Sequence, residues 1–357
     1  MSPDLDQDLR PLGFELEPPP DGYAWWYVDG LSDDGRYGLV LLLFIGSVFS
    51  PSYARARRRD GPRDPHRHCA VNFVVYPLDA GARRELGGKL WCFNEGGALR
   101  RSPAQLEIGA SSMRWTGARE QLEVEIDEPR TWFFGRPGPR VRGRLRLRPD
   151  AIFSPRVELD PWRDAARHRW YPVAPRARIE VELDAPRLRF SGSGYHDVNE
   201  GDEPLERGFR SWTWARSEIA DGALIAYDVI APDGRAHARA WRFEPHADGA
   251  ERAGPRITPI DEATLGERVE LGRTRWGVGR SIRGRAERTR LVHTLEDTPF
   301  YTRNVVATEV DGVPIRAVHE SVDLRRYAAR WVQFLLPFKI NERPASLALT
   351  GDRLSQR

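Results

Sequence analysis

The chain has 357 residues, 40 % of them hydrophobic, with twelve tryptophans and a formal net charge of +3, enough for one large domain or two ordinary ones with substantial cores. Its basic residues are nearly all arginine, with lysine only at Lys89 and Lys339 and acids interspersed, which argues against the concentrated basic face of a nucleic-acid binder. Cys69 and Cys92 are too few for a disulfide framework or a structural zinc site, and fit a reduced cytoplasmic compartment.

The first residues, MSPDLDQDLRPLG, are acidic and lack the basic-then-apolar order of a signal peptide. Residues 1–20, ending in Glu17-Pro18-Pro19-Pro20, read as a disordered or extended lead-in. Tyr23–Asp29, a turn at Ser32–Gly35 and Tyr37–Phe49 predict a hairpin whose second strand is apolar on both faces and covered on both sides. The run from Leu39 to Ile45 and on to Phe49 is about half of what a membrane-spanning helix needs. Arg55–Arg63 then reads as a basic loop, either solvated or in contact with an anionic membrane surface.

Short alternating segments follow: Cys69–Tyr76, Lys89–Asn94, Leu106–Ile108, Ser112–Thr116, Leu122–Asp127, Val141–Arg148, Ala177–Leu183 and Leu188–Ser191. The second half repeats the theme at Phe209–Ala215, Leu224–Ile230, Ala238–Phe243, Val269–Leu271, Leu291–His293, Tyr301–Val310 and Pro314–Glu320. Helical pattern is confined to Pro161–Arg167 and Leu324–Leu336. Many short strands at a spacing of roughly 8–12 residues predict an all-β chain of sandwiches or barrels. Two β-rich halves suggest two barrels, residues 21–205 and 206–350, and a barrel of about eight strands can hold one small apolar ligand.

Ser191–Pro204 (SGSGYHDVNEGDEP) packs titratable groups between glycines, and reads as a strand entering a turn that exposes Tyr195 and Asp197 on one face. His168, Trp170 and Tyr171 lie just upstream. A carboxyl held against aromatic surface keeps its proton and can donate it, while an indole face stabilises a neighbouring cation. The same Asp197 could instead cap the turn by accepting backbone N–H bonds. His66 and His68 find no further ligand at metal-like spacing and read as structural or surface residues. Neither a phosphate-binding glycine loop nor a Gly-x-Ser-x-Gly turn is present, so nucleotide cofactors and serine hydrolysis are not expected.

YAWWYVDGLSD (Tyr23–Asp33), LVLLLFIGSVFSPS (Leu39–Ser52), HCAVNFVVY (His68–Tyr76), HRWYPVAP (His168–Pro175), GYHDVNEGDEPL (Gly194–Leu205), LEDTPFY (Leu295–Tyr301), AVHES (Ala317–Ser321) and LLPF (Leu335–Phe338) occur in order along nearly the whole chain. Together they resemble the carotenoid 1,2-hydratase family, also called hydroxyneurosporene synthase. The resemblance implies two tandem lipocalin-like β-barrels with few short helices, and a lyase that works without a cofactor or metal. That lyase adds water to the terminal C1=C2 bond of acyclic carotenes such as neurosporene and lycopene. It implies Asp197 of the Gly-Tyr-x-Asp motif as the acid that protonates C2, with His168, Tyr195 and Trp170 as its catalytic partners. Trp25, Trp26, Tyr171 and His68, within the same motifs, become candidate substrate-binding side chains. Trp91–Glu95 (WCFNE) departs from the Met-Thr-Glu-Arg-like segment expected there, which puts substrate length or end-group preference in question.

Because such a carotene resides in the bilayer, a cytoplasmic enzyme acting on it is expected to dock peripherally on the membrane, through Leu39–Phe49 and Arg55–Arg63. Two rivals keep the same barrels: a polyene or terpene cyclase or isomerase, whose product keeps the substrate's mass, and a non-catalytic carrier of apolar ligands.

Overall fold

Side chains alternate across a strand, and the first hairpin uses both of its faces for burial. The computed structural model describes residues 12–59, 63–132, 136–245, 255–261, 264–310 and 312–342. In it β1 (Tyr23–Ser32) pairs antiparallel with β2 (Tyr37–Ile45), as expected. Every residue of β2 is buried: Leu39, Leu41, Leu43 and Ile45 enter one core, and Val40, Leu42 and Phe44 enter another.

The chain continues through β3 (Ala70–Pro77), β4 (Leu90–Glu95), β5 (Leu99–Ser102), β6 (Gln105–Ile108), β7 (Ser111–Thr116), β8 (Gln121–Thr131), β9 (Pro137–Pro149), β10 (Val157–Glu158), β11 (His168–Ala185) and β12 (Arg187–Gly201). A second set comprises β13 (Ser211–Ile219), β14 (Gly222–Ile230), β15 (Ala236–Glu244), β16 (Arg256–Ile260), β17 (Glu267–Arg273), β18 (Gly279–Gly284), β19 (Arg290–Asp297), β20 (Tyr301–Val310) and β21 (Val313–Asp323), before β22 (Asn341–Glu342) returns to pair in parallel with β4. The first sheet runs β22-β4-β3-β2-β1-β12-β11-β9-β8-β7-β6-β5 with β10 on β11; the second runs β16-β15-β14-β13-β21-β20-β19; β17 and β18 form a ribbon.

The all-β reading holds, but the sheets are open hydrogen-bonded paths instead of closed barrels. Where β4 comes beside β8, side chains make the junction: Asn94 Nδ2 donates to Glu128 Oε2 at 2.7 Å and the Phe93 N–H donates to Thr131 Oγ1 at 2.9 Å. The space inside the first sheet is filled by its own Leu, Ile and Val side chains, so the expected ligand site inside a barrel is not there. The other core lies where the β1, β11 and β12 faces meet β13, β14 and β21.

Several local expectations change. Residues 12–20 form no strand yet pack down, with Leu12, Phe14 and Leu16 buried and the Phe14 ring 5.7 Å from Trp26; residues 1–11 lie outside the described part. Arg55–Arg63 is not simply a loop. Pro51–Arg57 forms helix α1, capped by Ser50 accepting from the Tyr53 N–H, and the Arg57 guanidinium is buried 3.9 Å over the Tyr53 ring. Leu39–Val48 is buried too, and the Phe49 ring lies 5.5 Å from Phe300.

A short helix α2 (Ala80–Leu86), capped by Asp79, follows β3. Pro161–Arg167 is turns and bends, not helix, gathered by Asp160, whose carboxylate accepts from the Arg167 and His168 N–H groups. After α3 (Leu205–Gly208), the predicted helix over 324–336 is two, α4 (Leu324–Ala328) and α5 (Arg330–Leu335), broken at Ala329, whose ψ of 135° is extended. No helix among the described residues is long and apolar enough to cross a membrane.

Candidate active site

The Ser191–Pro204 stretch does not turn at its glycines. It continues β12 to Gly201 between β1 and β11, and the glycines let strands approach: a Cβ on Gly192 would overlap the Leu31 carbonyl oxygen. Tyr195 and Asp197 are therefore buried, at 0 % and 4 % exposure, instead of displayed. Register places Asp197 opposite Tyr27 of β1, and Asn199 opposite Trp170 of β11. Period-two alternation aims Trp170, Tyr195, Asp197, Asn199 and, from β1, Tyr23, Trp25 and Tyr27 at the second sheet.

Three donors converge on Asp197. Tyr195 donates its hydroxyl to Oδ2 at 2.7 Å, Trp170 donates its indole N–H to Oδ2 at 2.8 Å, and Asn199 Nδ2 donates to Oδ1 at 3.1 Å. Burial nevertheless raises the Asp197 pKa to about 8; the Tyr195 and Trp170 bonds oppose the rise, and the negative charges of Glu320 and Asp29 add to it. The carboxyl thus holds its proton at neutral pH. Oδ2 already accepts two bonds, which leaves Oδ1 to carry it.

Asp197 lines a chamber of about 50 Å³ with Tyr23, Trp25, Tyr27, Trp212, Trp214, Tyr227 and Glu320. The Trp170 ring is packed by Tyr227 at 5.1 Å and Trp241 at 5.4 Å, and the Tyr195 ring by Trp214 at 5.3 Å. Beside the chamber opens an apolar cleft of about 840 Å³ whose walls include Phe44, Phe49, Trp91, Phe93, Phe300 and Leu336. Trp25, Tyr27, Trp212 and Glu320 line both spaces. The departing segment Trp91–Glu95 thus contributes Trp91 and Phe93 to the cleft.

Glu320 on β21 is the chamber's second carboxylate. Arg303 Nε donates to its Oε1 at 2.7 Å, and the Tyr27 hydroxyl lies 3.1 Å from the same oxygen and 2.9 Å from Asp29 Oδ2. One hydroxyl proton serves one acceptor at a time, and Asp29 is itself held by Arg216, whose Nε donates to Oδ1 at 2.7 Å. Two buried ion pairs therefore flank the Tyr27 hydroxyl. Among the described residues no cluster of three or more His, Cys, Asp and Glu has metal-binding geometry.

The sequence candidates separate. Trp170, Tyr195, Asp197 and Trp25 come together. His168 is fully buried but stands one ring back: its Nδ1 is 2.8 Å from the Tyr23 hydroxyl, its Nε2 is 3.6 Å from Glu203, and α3 presses Gly208 against it. Trp26 and Tyr171, one residue out of phase with Trp25 and Trp170, point to the opposite core; Trp26 donates to the Gly13 carbonyl at 3.3 Å and Tyr171 to Glu200 at 2.7 Å. His68 is stacked on Tyr53 and bonded to Ser52, away from the cleft. Tyr27 and Asn199 share the parity of Trp25 and Asp197, so alternation alone could have found them. Trp214, Tyr227, Arg303 and Glu320 arrive from the second sheet, and nothing in their spacing announces it.

Against known proteins, residues 41–348 match the family model described as Carotenoid hydratase CrtC. The chain is 42 % identical over 332 residues to an acyclic carotenoid 1,2-hydratase of Thiocapsa roseopersicina, covering 92 % of this chain and 75 % of that one. It is 43 % identical over 336 residues to the protein of the same name in Rubrivivax gelatinosus, covering 92 % and 76 %. A solved structure of an AttH protein from Nitrosomonas europaea superposes with a TM-score of 0.55 at 16 % identity, covering 87 % of this chain and 98 % of that one. That likeness carries the fold alone.

Proposed function

The chain belongs to the carotenoid hydratase family, and on that premise we propose that it is a hydro-lyase adding water to the terminal C1=C2 bond of an acyclic carotenoid. The observation that carries the reading is a buried, proton-bearing Asp197 in an aromatic chamber that abuts an apolar cleft.

The Asp197 Oδ1 proton passes to C2, the π electrons forming the new C–H bond and leaving a tertiary cation at C1. Burial keeps this acid protonated at neutral pH, and the Tyr195 and Trp170 bonds to Oδ2 stabilise the carboxylate that transfer to so weak a base leaves behind. The Trp25, Trp214 and Tyr227 rings offer π faces to the cation, and the Glu320 carboxylate supplies the nearby negative charge. Water bonds to C1 through oxygen and releases a proton that returns to Asp197 Oδ1, while the Tyr195 hydroxyl, 2.7 Å from Oδ2, holds the carboxylate in place. His168 acts at one remove, as a positioning residue that fixes the Tyr23 hydroxyl.

Detergent-dispersed lycopene incubated with the purified chain and heavy-oxygen water should gain the mass of one labelled water. A product of unchanged mass would replace hydration by cyclisation or isomerisation. Unaltered lycopene would leave only a carrier.

A further inference from the structure

Among the described residues five large hydrophobic side chains are exposed, and four line the cleft or stack on a residue that does: Trp132 at 55 %, Trp276 at 46 %, Trp331 at 47 % and Phe334 at 70 %. Trp132, Trp276 and Phe334 line the apolar cleft, and Trp331 stacks on Trp276 with centroids 6.2 Å apart. Scattered exposed apolar residues are ordinary, but a contiguous patch at the mouth of a cavity marks a contact surface.

The same lip is basic. From Leu324 to Ile340 the sequence holds Arg325, Arg326, Arg330 and Lys339 and no acid. Arg325, Arg330 and Lys339 are exposed, while Arg326 donates to the Trp276 and Pro299 carbonyls and lies 5.9 Å from the Trp331 ring. Of the acids lining the cleft, Glu296 is paired with Lys89 at 2.5 Å and Asp297 accepts from the Arg275 N–H beside Trp276. In α5, Val332 is buried while Trp331 and Phe334 face outward. One short segment therefore walls the cleft and presents its aromatics beside Arg325, Arg330 and Lys339, which make no ion pair among the described residues.

We propose that this lip docks on an anionic bilayer surface, with Trp276, Trp331 and Phe334 at the headgroup level and Arg325, Arg330 and Lys339 against the lipid phosphates. Tryptophan at the interface and cations facing anionic lipid are the two contributions that hold a peripheral protein there. A second copy of the chain fits worse, because a two-fold contact through this lip would set its cations against their own copies. The docked orientation turns the cleft toward the acyl chains, which rests on the reading of the substrate as a bilayer-dissolved polyene.

The test uses the full chain and carotenoid-free vesicles of phosphatidylcholine, with and without phosphatidylglycerol. Wild type should cosediment with the mixed vesicles and release with salt. Trp331→Ser combined with Arg330→Glu should lower the partition coefficient roughly tenfold, while Arg58→Glu with Arg59→Glu, on the other exposed basic segment, should not. Should the paired variant unfold, Arg330→Glu alone serves. Equal binding by wild type and variant, no binding by wild type, or a dimer in light scattering that the variant dissociates would each overturn the proposal. Turnover of detergent-dispersed lycopene should be the same in wild type and Arg330→Glu, a position outside the cleft lining. Loss of that turnover in wild type, with vesicle binding intact, would strike the assigned activity and leave the docking surface standing.

Discussion

Trp170 and Asp197 sit on neighbouring strands with the indole N–H 2.8 Å from Oδ2, so one residue both packs behind the chamber-lining Tyr227 ring, 5.1 Å away, and tunes the acid. A donor to a carboxylate favours the ionised form, and here Trp170 and Tyr195 hold down a pKa that burial alone would push higher. The acid therefore stays neutral at cellular pH without becoming too weak to release its proton.

Asp197→Asn keeps the shape and removes the transferable proton. Turnover should fall by about 10²–10⁴, with the melting temperature unchanged or raised, since a buried acid is replaced by a neutral amide. Lycopene hydration near the wild-type rate would remove Asp197 from the chemistry.

The active form bears its proton below a pKa of about 8, so kcat/KM should be flat through neutrality and fall about tenfold per pH unit above that. Stability follows the same group. Folded Asp197 is protonated up to about pH 8, whereas the unfolded chain ionises it near 3.8, so folding takes up a proton between those values. Its contribution is complete below about pH 4 and is lost as pH rises toward 8. Denaturant titrations of wild type and Asp197→Asn across that window should differ in slope in this direction.

Trp170→Phe removes the N–H and keeps most of the ring. Losing a bond that favours the carboxylate should move the alkaline limb of the pH profile upward by about one unit, while peak turnover drops as the acid weakens. A limb that moves downward would contradict the assigned direction of the bond.

Glu320→Gln should lower turnover by withdrawing negative charge from the chamber, and should destabilise the fold by about 3–5 kcal/mol because Arg303 is left buried and unpaired. Adding Arg303→Met should restore stability and leave turnover low. If turnover recovers with stability, Glu320 is structural only.

Adjacent tryptophans should behave differently. Trp26→Ala cuts into a fully buried core and should cost about 3–5 kcal/mol. Trp25→Ala, at the shared wall of chamber and cleft, should raise KM and lower kcat with a smaller loss of stability. Thermal melts and steady-state kinetics on the two variants separate these effects.

Alternation in single strands is readable from the sequence because its cause is local: period-two patterning places β9, β14 and β20 within a few residues, while β1 and β2 are marked by their turn and apolar run. Tyr195 and Asp197 are readable together because they stand two apart on one strand, whereas Trp170 comes from its nearness in sequence and the family motif, and reaches Asp197 because β11 pairs with β12. Misreadings arose where glycine or charge was taken at face value. Ser191–Pro204 looked like a turn, yet its glycines serve strand-to-strand approach inside β12. Arg57 looked solvated, yet its guanidinium covers Tyr53. His168 and Trp26 were assigned to the site by motif proximity, which does not record the face a side chain takes. Glu320, Trp214 and Tyr227 needed the packing of one sheet on the other, which no local pattern encodes.

The chamber next to the acid is small, and its walls are shared with a much larger cleft. Regiochemistry follows from that difference in size. On the proposed reading of the substrate, only the tip of a long polyene would reach the proton, the conjugated middle would stay in the wide part, and interior double bonds would be spared by depth. A symmetrical molecule would be modified at its far end only after backing out and returning reversed, so singly hydroxylated product should accumulate before doubly hydroxylated product.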